Sequence, residues 1–334
     1  MSGIRLGIIG AGRIGTVHAN NLAQRVAGAT VEAIADVNME AARELADGLR
    51  VPRVMSDAAE LCASSSVDAV VICSSTDTHA GLIETAAECG KHVFCEKPIA
   101  LDLGRIDGAI AATERAGVKL QVGFNRRFDP GFARVQSQVA AGAVGDTHLV
   151  RITSRDPHPP PAEYVAVSGG IFLDMTIHDF DMARFLVGSE PVRILAKGTV
   201  RIDPAIGAAG DVDTAVVLIE HADGTLTTID NSRKAVYGYD QRIEVFGAEG
   251  MLWAGNRTAH NTGLADGTGL HTPLPEHFFM TRYTESFVAE MNAFVDCILN
   301  DAPSPVTGHD GRVPVVMGHA AKRSMEVGGW VEID

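Results

Sequence analysis

The sequence predicts an α/β protein with two domains: an N-terminal Rossmann domain built on a doubly wound parallel sheet, and a C-terminal α+β domain with a large, mainly antiparallel sheet. Two patterns along the 334 residues support this. The first third of the chain alternates short apolar strands with helices, which is typical of a parallel sheet with right-handed crossovers. Further along, over 192–247, four strand-like runs follow one another without a helix between them. We place the predicted boundary between 1–123 and 124–334.

The predicted strands of the first domain are short and rich in β-branched residues. The run Val67–Cys73 is almost continuously apolar, as expected for a strand buried on both faces of a parallel sheet. The predicted strands are Ile4–Ile9, Thr30–Val37, Val67–Cys73, His92–Cys95 and Lys119–Phe124, and the predicted helices are Thr16–Gln24, Met39–Asp47, His79–Glu88 and Asp102–Arg115.

The second domain changes rhythm. Asp223-Gly224 is a hairpin signal between two of its strands, and the segments 156–161 (DPHPPP) and 255–275 have the composition of loops. The predicted helices are Pro130–Ala140, Ile171–Leu186 and Tyr283–Leu299, and the predicted strands are Thr147–Arg155, Val192–Ile202, Thr214–Glu220, Thr225–Asn231 and Gln241–Phe246.

Composition and charge exclude several classes of protein. Lys and Arg number 28 against 42 Asp and Glu, so the formal net charge is −14, which argues against nucleic-acid and membrane-surface partners. The five cysteines form no Cys-x-x-Cys pair, and reduced thiols are the simplest interpretation. Neither a signal-peptide pattern nor a membrane-spanning apolar run is evident. We therefore expect a cytoplasmic protein.

A glycine-rich turn directly follows the first strand. Its sequence is Gly10-Ala11-Gly12-Arg13-Ile14-Gly15. In this context Gly10 permits a tight turn, Gly12 lets the backbone approach a pyrophosphate, and Gly15 allows close packing of the helix against the strand. An acid, Asp36, ends the next strand, where it can bind a ribose 2′-hydroxyl and repel a 2′-phosphate. The pattern favours NAD over NADP. The alternatives are that the glycines merely form a turn and that Asp36 is an ordinary solvated acid.

Polar residues also follow the later strands, and ligands of such sheets bind at the carboxyl ends of the strands. The candidates for cofactor contact are Ser74, Thr76, His79, Glu96 and Lys97. His79 has a plain alternative role in capping its helix. For Lys97, a surface charge and a cation aimed at a reacting oxygen are both open.

Asp174 and His178 are four residues apart in a predicted helix and would lie on one face, with Asp181 extending the stripe. A carboxylate beside an imidazole fixes its tautomer and stabilises its charged form, and imidazole suits a general base near neutral pH. A purely structural helix pair and a metal site on the stripe are the main alternatives. A Ser-His-Asp triad is disfavoured because the sequence lacks a G-x-S-x-G elbow.

Taken together, these features resemble the Gfo/Idh/MocA oxidoreductase family over essentially the whole chain. The glycine turn and Glu96-Lys97-Pro98 are typical of the superfamily. The stretches that resemble the inositol-oxidising members are GFNRRFDPGF (123–132), SRDPHPPP (154–161), SGGIFLDMTIHDFDMARFLVG (168–188), DPAIGAAGDVDTA (203–215) and NSRKAVYGYDQRIEVFG (231–247).

The resemblance implies a catalytic set of Lys97, Asp174 and His178 and a cis peptide bond between Lys97 and Pro98. It further implies NAD-dependent oxidation of a cyclic polyol, with myo-inositol oxidised to its 2-keto product as the favoured reaction and His178 as the general base. The domains would be an NAD-binding domain and a substrate-binding and oligomerisation domain. We expect no metal, and the resemblance implies a homotetramer formed through the second-domain sheets.

The resemblance also implies a set of substrate-lining residues in addition to the catalytic ones. They are Arg127, Asp156, Tyr237 and Tyr283. Each has a plain alternative, since Arg127 could pair with Asp129 and the tyrosines could simply pack. Three functional alternatives also stay open: a dehydrogenase for another inositol isomer or an aldose, a non-enzymatic NAD-binding regulatory protein, and a glycosidase or dehydratase that uses NAD⁺ transiently.

Overall fold

The computed structural model describes residues 3–333, except for the side chain of Ala162. The chain forms two compact units: Met1–Phe128 with Glu285–Val315, and Asp129–Thr284 with Val316–Asp334. The first division lies close to the predicted boundary at 123. The return of residues 285–315 to the first unit differs from the prediction, which assigned everything after 123 to the second domain.

The first unit contains a six-stranded sheet in the order β3-β2-β1-β4-β5-β6, in which all neighbouring strands are parallel. This confirms the predicted Rossmann architecture. The short strand β3 and helix α3 were not predicted. The elements are β1 (Ile4–Ile9), α1 (Arg13–Gln24), β2 (Ala29–Ala35), α2 (Met39–Leu49), β3 (Arg53–Met55), α3 (Ala58–Ala63), β4 (Ala69–Ile72), α4 (Thr76–Glu88), β5 (His92–Glu96), α5 (Leu103–Ala116) and β6 (Leu120–Gly123).

Local sequence sets the ends of these helices. Asn38 precedes α2, and its side chain accepts hydrogen bonds from the amides of Glu40 and Ala41. Asp102 caps α5 in the same way through the amide of Arg105. These caps satisfy amides that have no partner within the helix.

The second unit contains a seven-stranded mixed sheet in the order β12-β11-β7-β10-β9-β8-β15. β7 and β10 run parallel, and the other pairs are antiparallel, as predicted for an α+β domain. The elements are α6 (Pro130–Ala140), β7 (Thr147–Arg155), α7 (Ala162–Val165), α8 (Gly170–Asp174), α9 (Ile177–Val187), β8 (Pro191–Thr199), α10 (Pro204–Ala208), β9 (Thr214–His221), β10 (Leu226–Ser232), β11 (Asp240–Gly247), β12 (Gly250–Ala254), β13 (Leu264–Asp266), β14 (Gly269–His271), α11 (Phe279–Arg282) and β15 (Val331–Glu332).

Two predictions for this unit need correction. A short helix, α10, separates β8 from β9, because Asp203 caps it through the amide of Ala205 and Pro204 fits its first turn. The predicted loop over 255–275 contains a small hairpin, β13–β14. Strands β12 and β15 were not predicted.

The predicted single helix over 171–186 is also wrong, because the chain breaks between α8 and α9. The carbonyl of Ile171 accepts hydrogen bonds from the amides of both Met175 and Thr176, at 3.0 and 2.8 Å. The Thr176 hydroxyl bonds that same carbonyl and also Oδ1 of Asn231 on β10, at 3.2 and 2.5 Å. A threonine that bonds backbone and a neighbouring strand competes with the regular helical ladder, so α9 begins anew at Ile177.

Two more helices complete the chain: α12 (Thr284–Leu299) and α13 (Gly308–Val327). The apolar side of α12 belongs to the core of the first unit, where Met291, Phe294 and Val295 pack with Leu6 and Ile8 of β1. This burial explains why residues 285–315 join the first unit. Among the helices of residues 3–333, none is both long and apolar enough to cross a membrane.

Candidate active site

The glycine turn of the first unit has the geometry predicted for a phosphate-binding loop. Gly10 has a φ of +102°, and a Cβ there would lie 2.7 Å from the backbone of Cys73. A Cβ on Gly15 would lie 1.9 Å from the carbonyl oxygen of Gly10, so only glycine permits this approach of helix to strand. By contrast, a Cβ on Gly12 would meet nothing within 4 Å. Gly12 therefore leaves open space beside the first amides of α1, as the predicted approach of a pyrophosphate to the backbone requires.

Asp36 is tied to this turn. Its Oδ2 accepts a hydrogen bond from the amide of Ala11 at 2.6 Å, and its Oδ1 accepts one from the amide of Asn38 at 2.7 Å. The carboxylate is half-buried, and the following Val37 is 94% exposed. The acid is thus fixed beside the glycine turn, in the position predicted for a ribose-binding residue. Arg13 and Ile14 form the first turn of α1 beside it.

The predicted residues after β4 and β5 occupy neighbouring turns of the first unit. Thr76 is the first residue of α4, and the hydroxyl of Ser74 bonds that of Thr78 at 2.7 Å. His79 is buried, with Nδ1 2.8 Å from the carbonyl oxygen of Pro98 and Nε2 3.0 Å from that of Ser74. His79 is therefore not a helix cap. Its ring links the turn after β4 to the turn after β5.

Lys97 follows β5 directly and is half-buried. The Lys97–Pro98 peptide is cis, as the resemblance implied. Oε1 of the preceding Glu96 lies within hydrogen-bond distance of Nε2 of His18, at 2.7 Å. In the same unit Arg127 donates to Oδ1 of Asp310 at 3.1 Å.

In the second unit, Asp174 ends α8 and His178 lies in the first turn of α9. Both are half-buried, whereas Leu173, Met175 and Ile177 between and beside them are buried. The two candidates therefore avoid the apolar core on either side of the helix break. Asp181, predicted to extend the polar stripe, is 1% exposed.

The Asp174 carboxylate is held by two residues that the sequence analysis missed. The Tyr164 hydroxyl donates to Oδ1 at 3.0 Å, and Arg233 Nη1 donates to Oδ2 at 3.1 Å. Arg233 is 1% exposed and also lies 3.6 Å from Oδ2 of Asp211. Burial, followed by the charge of Asp174 and its hydrogen bond, raises the pKa of Tyr164, which keeps it a donor. The only sign of Arg233 in the sequence is its place in the stretch 231–247, which resembles the inositol-oxidising members of the family.

Asp156 and Tyr237 lie near the ends of β7 and β10. The Asp156 amide donates to the carbonyl of Ser232, and its own carbonyl accepts from the amide of Ala235. The Tyr237 hydroxyl donates to Oδ2 of Asp240 at 2.7 Å and accepts from Nη1 of Arg155 at 2.9 Å. Burial, followed by the bond to Asp240, raises the pKa of Tyr237.

Tyr283 is 2% exposed and packs edge-on against Tyr239, with ring centroids 5.9 Å apart. The guanidinium of Arg282 lies 4.8 Å from its ring centroid. Arg282 in turn forms a buried ion pair with Asp129, the residue that caps α6 through the amides of Gly131 and Phe132.

Comparison with known families decides the family. Residues 4–124 match the model of the oxidoreductase family with an NAD-binding Rossmann fold. Residues 132–253 match the GFO/IDH/MocA C-terminal domain. The chain belongs to the Gfo/Idh/MocA oxidoreductase family.

Relatives extend this match along the whole chain. The Gfo/Idh/MocA protein is 48% identical to myo-inositol 2-dehydrogenase of Thermotoga maritima over 97% of this chain and 96% of the relative. It is 47% identical to inositol 2-dehydrogenase of Rhizobium meliloti, with coverage of 96% and 97%. It is thus an NAD-dependent oxidoreductase of the inositol 2-dehydrogenase type.

A solved structure shows which ligands a similar fold binds. Scyllo-inositol dehydrogenase of Lactobacillus casei, solved with bound NAD(H) and scyllo-inositol, is 32% identical, has a TM-score of 0.93 and matches over 99% of both chains. The cofactor of this family member is NAD(H), in agreement with the open space at Gly12 and the fixed carboxylate of Asp36.

Proposed function

We propose that this protein oxidises myo-inositol to 2-keto-myo-inositol (scyllo-inosose) with NAD⁺ as the hydride acceptor. The observation that carries the proposal is the 48% identity to a myo-inositol 2-dehydrogenase over nearly the full length of both chains. The polar residues of α8 and α9, with their supporting contacts, supply the acid–base chemistry that the reaction requires.

In the proposed mechanism His178 accepts the proton of the reacting hydroxyl as the general base. Asp174 orients His178 and stabilises the imidazolium that forms, and its own charge is held in place by Arg233 and Tyr164. Lys97 donates a hydrogen bond to the reacting oxygen and stabilises negative charge as it develops. When bound, NAD⁺ takes up the hydride, and the protein contributes position and electrostatics.

We propose that Arg127, Asp156, Tyr237 and Tyr283 bind the remaining hydroxyl groups of the polyol, as the resemblance implies. The Tyr237 hydroxyl is already oriented by Asp240 and Arg155. An oriented phenol is a preorganised hydrogen-bonding group, which favours selection among polyols that differ in the stereochemistry of one hydroxyl.

A panel of polyols assayed with NAD⁺ and with NADP⁺ tests the proposal. The panel contains myo-, scyllo- and D-chiro-inositol, glucose and glucose 6-phosphate, and NADH formation is followed by absorbance. We expect the highest kcat/KM with myo-inositol and NAD⁺, and NMR should identify the product as the 2-ketone. A higher value with scyllo-inositol would reassign the isomer, and a higher value with glucose would overturn the proposed substrate class.

We also propose a cytoplasmic homotetramer formed through the outer face of the second-unit sheet. Large apolar side chains are exposed on that face, among them Val216, Phe246, Met251 and Trp253, which are 57%, 46%, 44% and 67% exposed. Light scattering coupled to size-exclusion chromatography measures the assembly. A monomeric mass would contradict the proposal, and Trp253→Glu should dissociate the assembly if the face forms the contact.

A further inference from the structure

A buried cluster of three ionisable residues lies in the first unit. One of the three directly precedes Lys97 in the sequence. His18 comes from α1, Glu96 from the end of β5 and Glu290 from α12. Nε2 of His18 lies 2.7 Å from Oε1 of Glu96 and 3.8 Å from Oε1 of Glu290. The side chains of His18 and Glu290 are 0% exposed, and that of Glu96 is 14% exposed.

The cluster is short of hydrogen bonds. Among the described residues, neither carboxyl oxygen of Glu290 has a hydrogen-bond partner, and neither does Nδ1 of His18. The ring of His18 is wedged edge-on between Phe94 and Phe287, with centroids at 5.2 and 5.8 Å. An ionised carboxylate that is dry and unpaired costs several kcal/mol or more, so such a group takes up a proton instead.

Among residues 3–333, the buried polar side chains one helical turn from the cluster, or bonded to it, are uncharged. Gln121 of β6 donates from Nε2 to the backbone carbonyl of Glu290, and the buried Asn21 and Ser286 lie one turn from His18 on α1 and from Glu290 on α12. Burial and the charge of Glu96 raise the pKa values of the Cys73 and Cys95 thiols, so both are neutral. Burial first, and the charge of Glu96 second, likewise raise the pKa of Glu290 well above its usual value.

We infer that Glu290 is held as the neutral acid and that, together with His18, it fixes the position of the Glu96 carboxyl group, which positions the backbone from which Lys97 projects. Nε2 of His18 is within hydrogen-bond distance of Glu96, and one polar atom from each of the three residues lies within 4.8 Å of the other two, which is too long for a direct bond from the acid hydrogen of Glu290 but short enough for a single bridging water. This role for the three residues as positioning groups rests on the proposed function of Lys97.

A metal ion is the competing occupant of the same cluster. The 2.7 Å separation of His18 Nε2 and Glu96 Oε1 is a hydrogen-bond length. Two ligand atoms of one metal at about 2.1 Å stand roughly 3 Å or more apart. The geometry therefore favours a proton over a metal, and metal analysis of the purified protein is part of the test.

The first arm of the test is thermal unfolding of the wild type and of Glu290→Gln between pH 5 and pH 8. A group whose pKa is raised in the folded state loses its contribution to stability as pH rises toward that folded value. Glutamine mimics the neutral acid and does not titrate. The melting temperature of Glu290→Gln relative to wild type should therefore rise with pH, by at most about 2 °C per pH unit for a chain of 334 residues. Glu285→Gln, an exposed change on the same helix, is the control.

The second arm measures positioning. Glu290→Leu should lower kcat on myo-inositol by roughly 10- to 100-fold, as expected when a catalytic group is misplaced, with the Kd of NAD⁺ close to wild type. Glu290→Gln should restore most of kcat. Hydrogen exchange of the peptide covering 92–100 should be faster in Glu290→Leu than in Glu290→Gln, which is a readout that does not depend on the substrate.

Three results would overturn the inference. One is a melting difference between Glu290→Gln and wild type that does not change with pH, since Glu290 would then be ionised in the folded protein. Another is a Glu290→Leu protein whose hydrogen exchange over 92–100 and whose kcat on myo-inositol both equal those of the wild type. The third is a stoichiometric metal in the purified protein that is absent from Glu290→Gln. Failure of inositol oxidation in the wild type would count against the proposed function alone, because melting and exchange still decide the state of the cluster.

Discussion

Nη1 of Arg233 lies 3.1 Å from Oδ2 of Asp174, and the arginine side chain is 1% exposed. A buried guanidinium at this distance fixes the direction of the carboxylate. Asp211 shares the same arginine and also accepts the amide of Ile171, at the start of α8. One buried arginine therefore braces both ends of the short helix that carries Asp174.

Arg233→Met should destabilise the protein and lower kcat on inositol. Removing one partner of a buried ion pair costs about 3–5 kcal/mol, and here it takes the guanidinium away from two carboxylates at once. Arg233→Lys keeps the positive charge but loses the planar guanidinium group and its several N–H donors. We therefore expect a smaller loss of both stability and kcat than in Arg233→Met. Thermal unfolding and steady-state kinetics measure the two effects. Wild-type kcat in a folded Arg233→Met protein would show that Asp174 does not need this partner.

Lys97→Ala should lower kcat by roughly two to four orders of magnitude, the range for losing acid–base or oxyanion assistance. The binding of NAD⁺, measured by fluorescence quenching, should change far less. Arg115→Ala removes an exposed cation from the last turn of α5 and serves as the control for loss of a positive charge. Turnover of Lys97→Ala close to wild type would contradict the proposed role.

Asp36→Ser should weaken discrimination between the two cofactors. The fixed carboxylate repels a 2′-phosphate, so the wild type should show a kcat/KM clearly in favour of NAD⁺. Serine removes the repulsion and should raise the efficiency with NADP⁺. Glu88→Gln, the loss of an exposed acid at the end of α4, controls for net charge. If the wild type showed the same kcat/KM with NAD⁺ and with NADP⁺, Asp36 would not determine cofactor selectivity.

Asp213→Asn should destabilise the protein at neutral pH but much less in acid. Asp213 accepts hydrogen bonds from the amides of Arg201, Ile202 and Asp203, at 2.8, 2.8 and 3.0 Å. Burial alone would raise the pKa of this carboxyl, but these three bonds outweigh it and lower the pKa.

Because the pKa of Asp213 is lowered in the folded protein, Asp213 should stabilise the fold more at neutral pH than in acid. The stability that Asp213 contributes is present above its unfolded pKa, near 3.8, and is lost as pH falls through the folded value. With hydrogen bonds to a charged acceptor worth about 1.5–3 kcal/mol, the melting temperature of this 334-residue chain should fall by roughly 2–4 °C at pH 7. An equal drop at pH 3 would contradict this account.

The sequence was sufficient for the features that depend on local pattern. The turn 10–15, Asp36 and the alternation of strands and helices are local signals, and the structure confirms the Rossmann sheet that they predicted. The helix break at Thr176 was missed, since it depends on a bond from Thr176 to Asn231 on another strand. Apolar periodicity gives no sign of such a bond.

Long-range contacts also explain why the sequence did not reveal the supporting residues of the site. Arg233 meets Asp174 across 59 residues of sequence, and Glu290 meets His18 only because α12 returns to pack on the first unit. The sequence alone does not show which of its charged residues will be buried. Only the folded chain shows that these pair around the candidate catalytic residues.

The most direct test of the central claim follows the hydrogen itself. Myo-inositol carrying deuterium at C2 is incubated with NAD⁺ and the enzyme, and the nicotinamide C4 of the product is examined by NMR. We predict that the deuterium is transferred directly to C4 of NADH and that the organic product is the 2-ketone. NADH without deuterium, or deuterium released to solvent with no net NADH, would contradict direct hydride transfer from the polyol carbon.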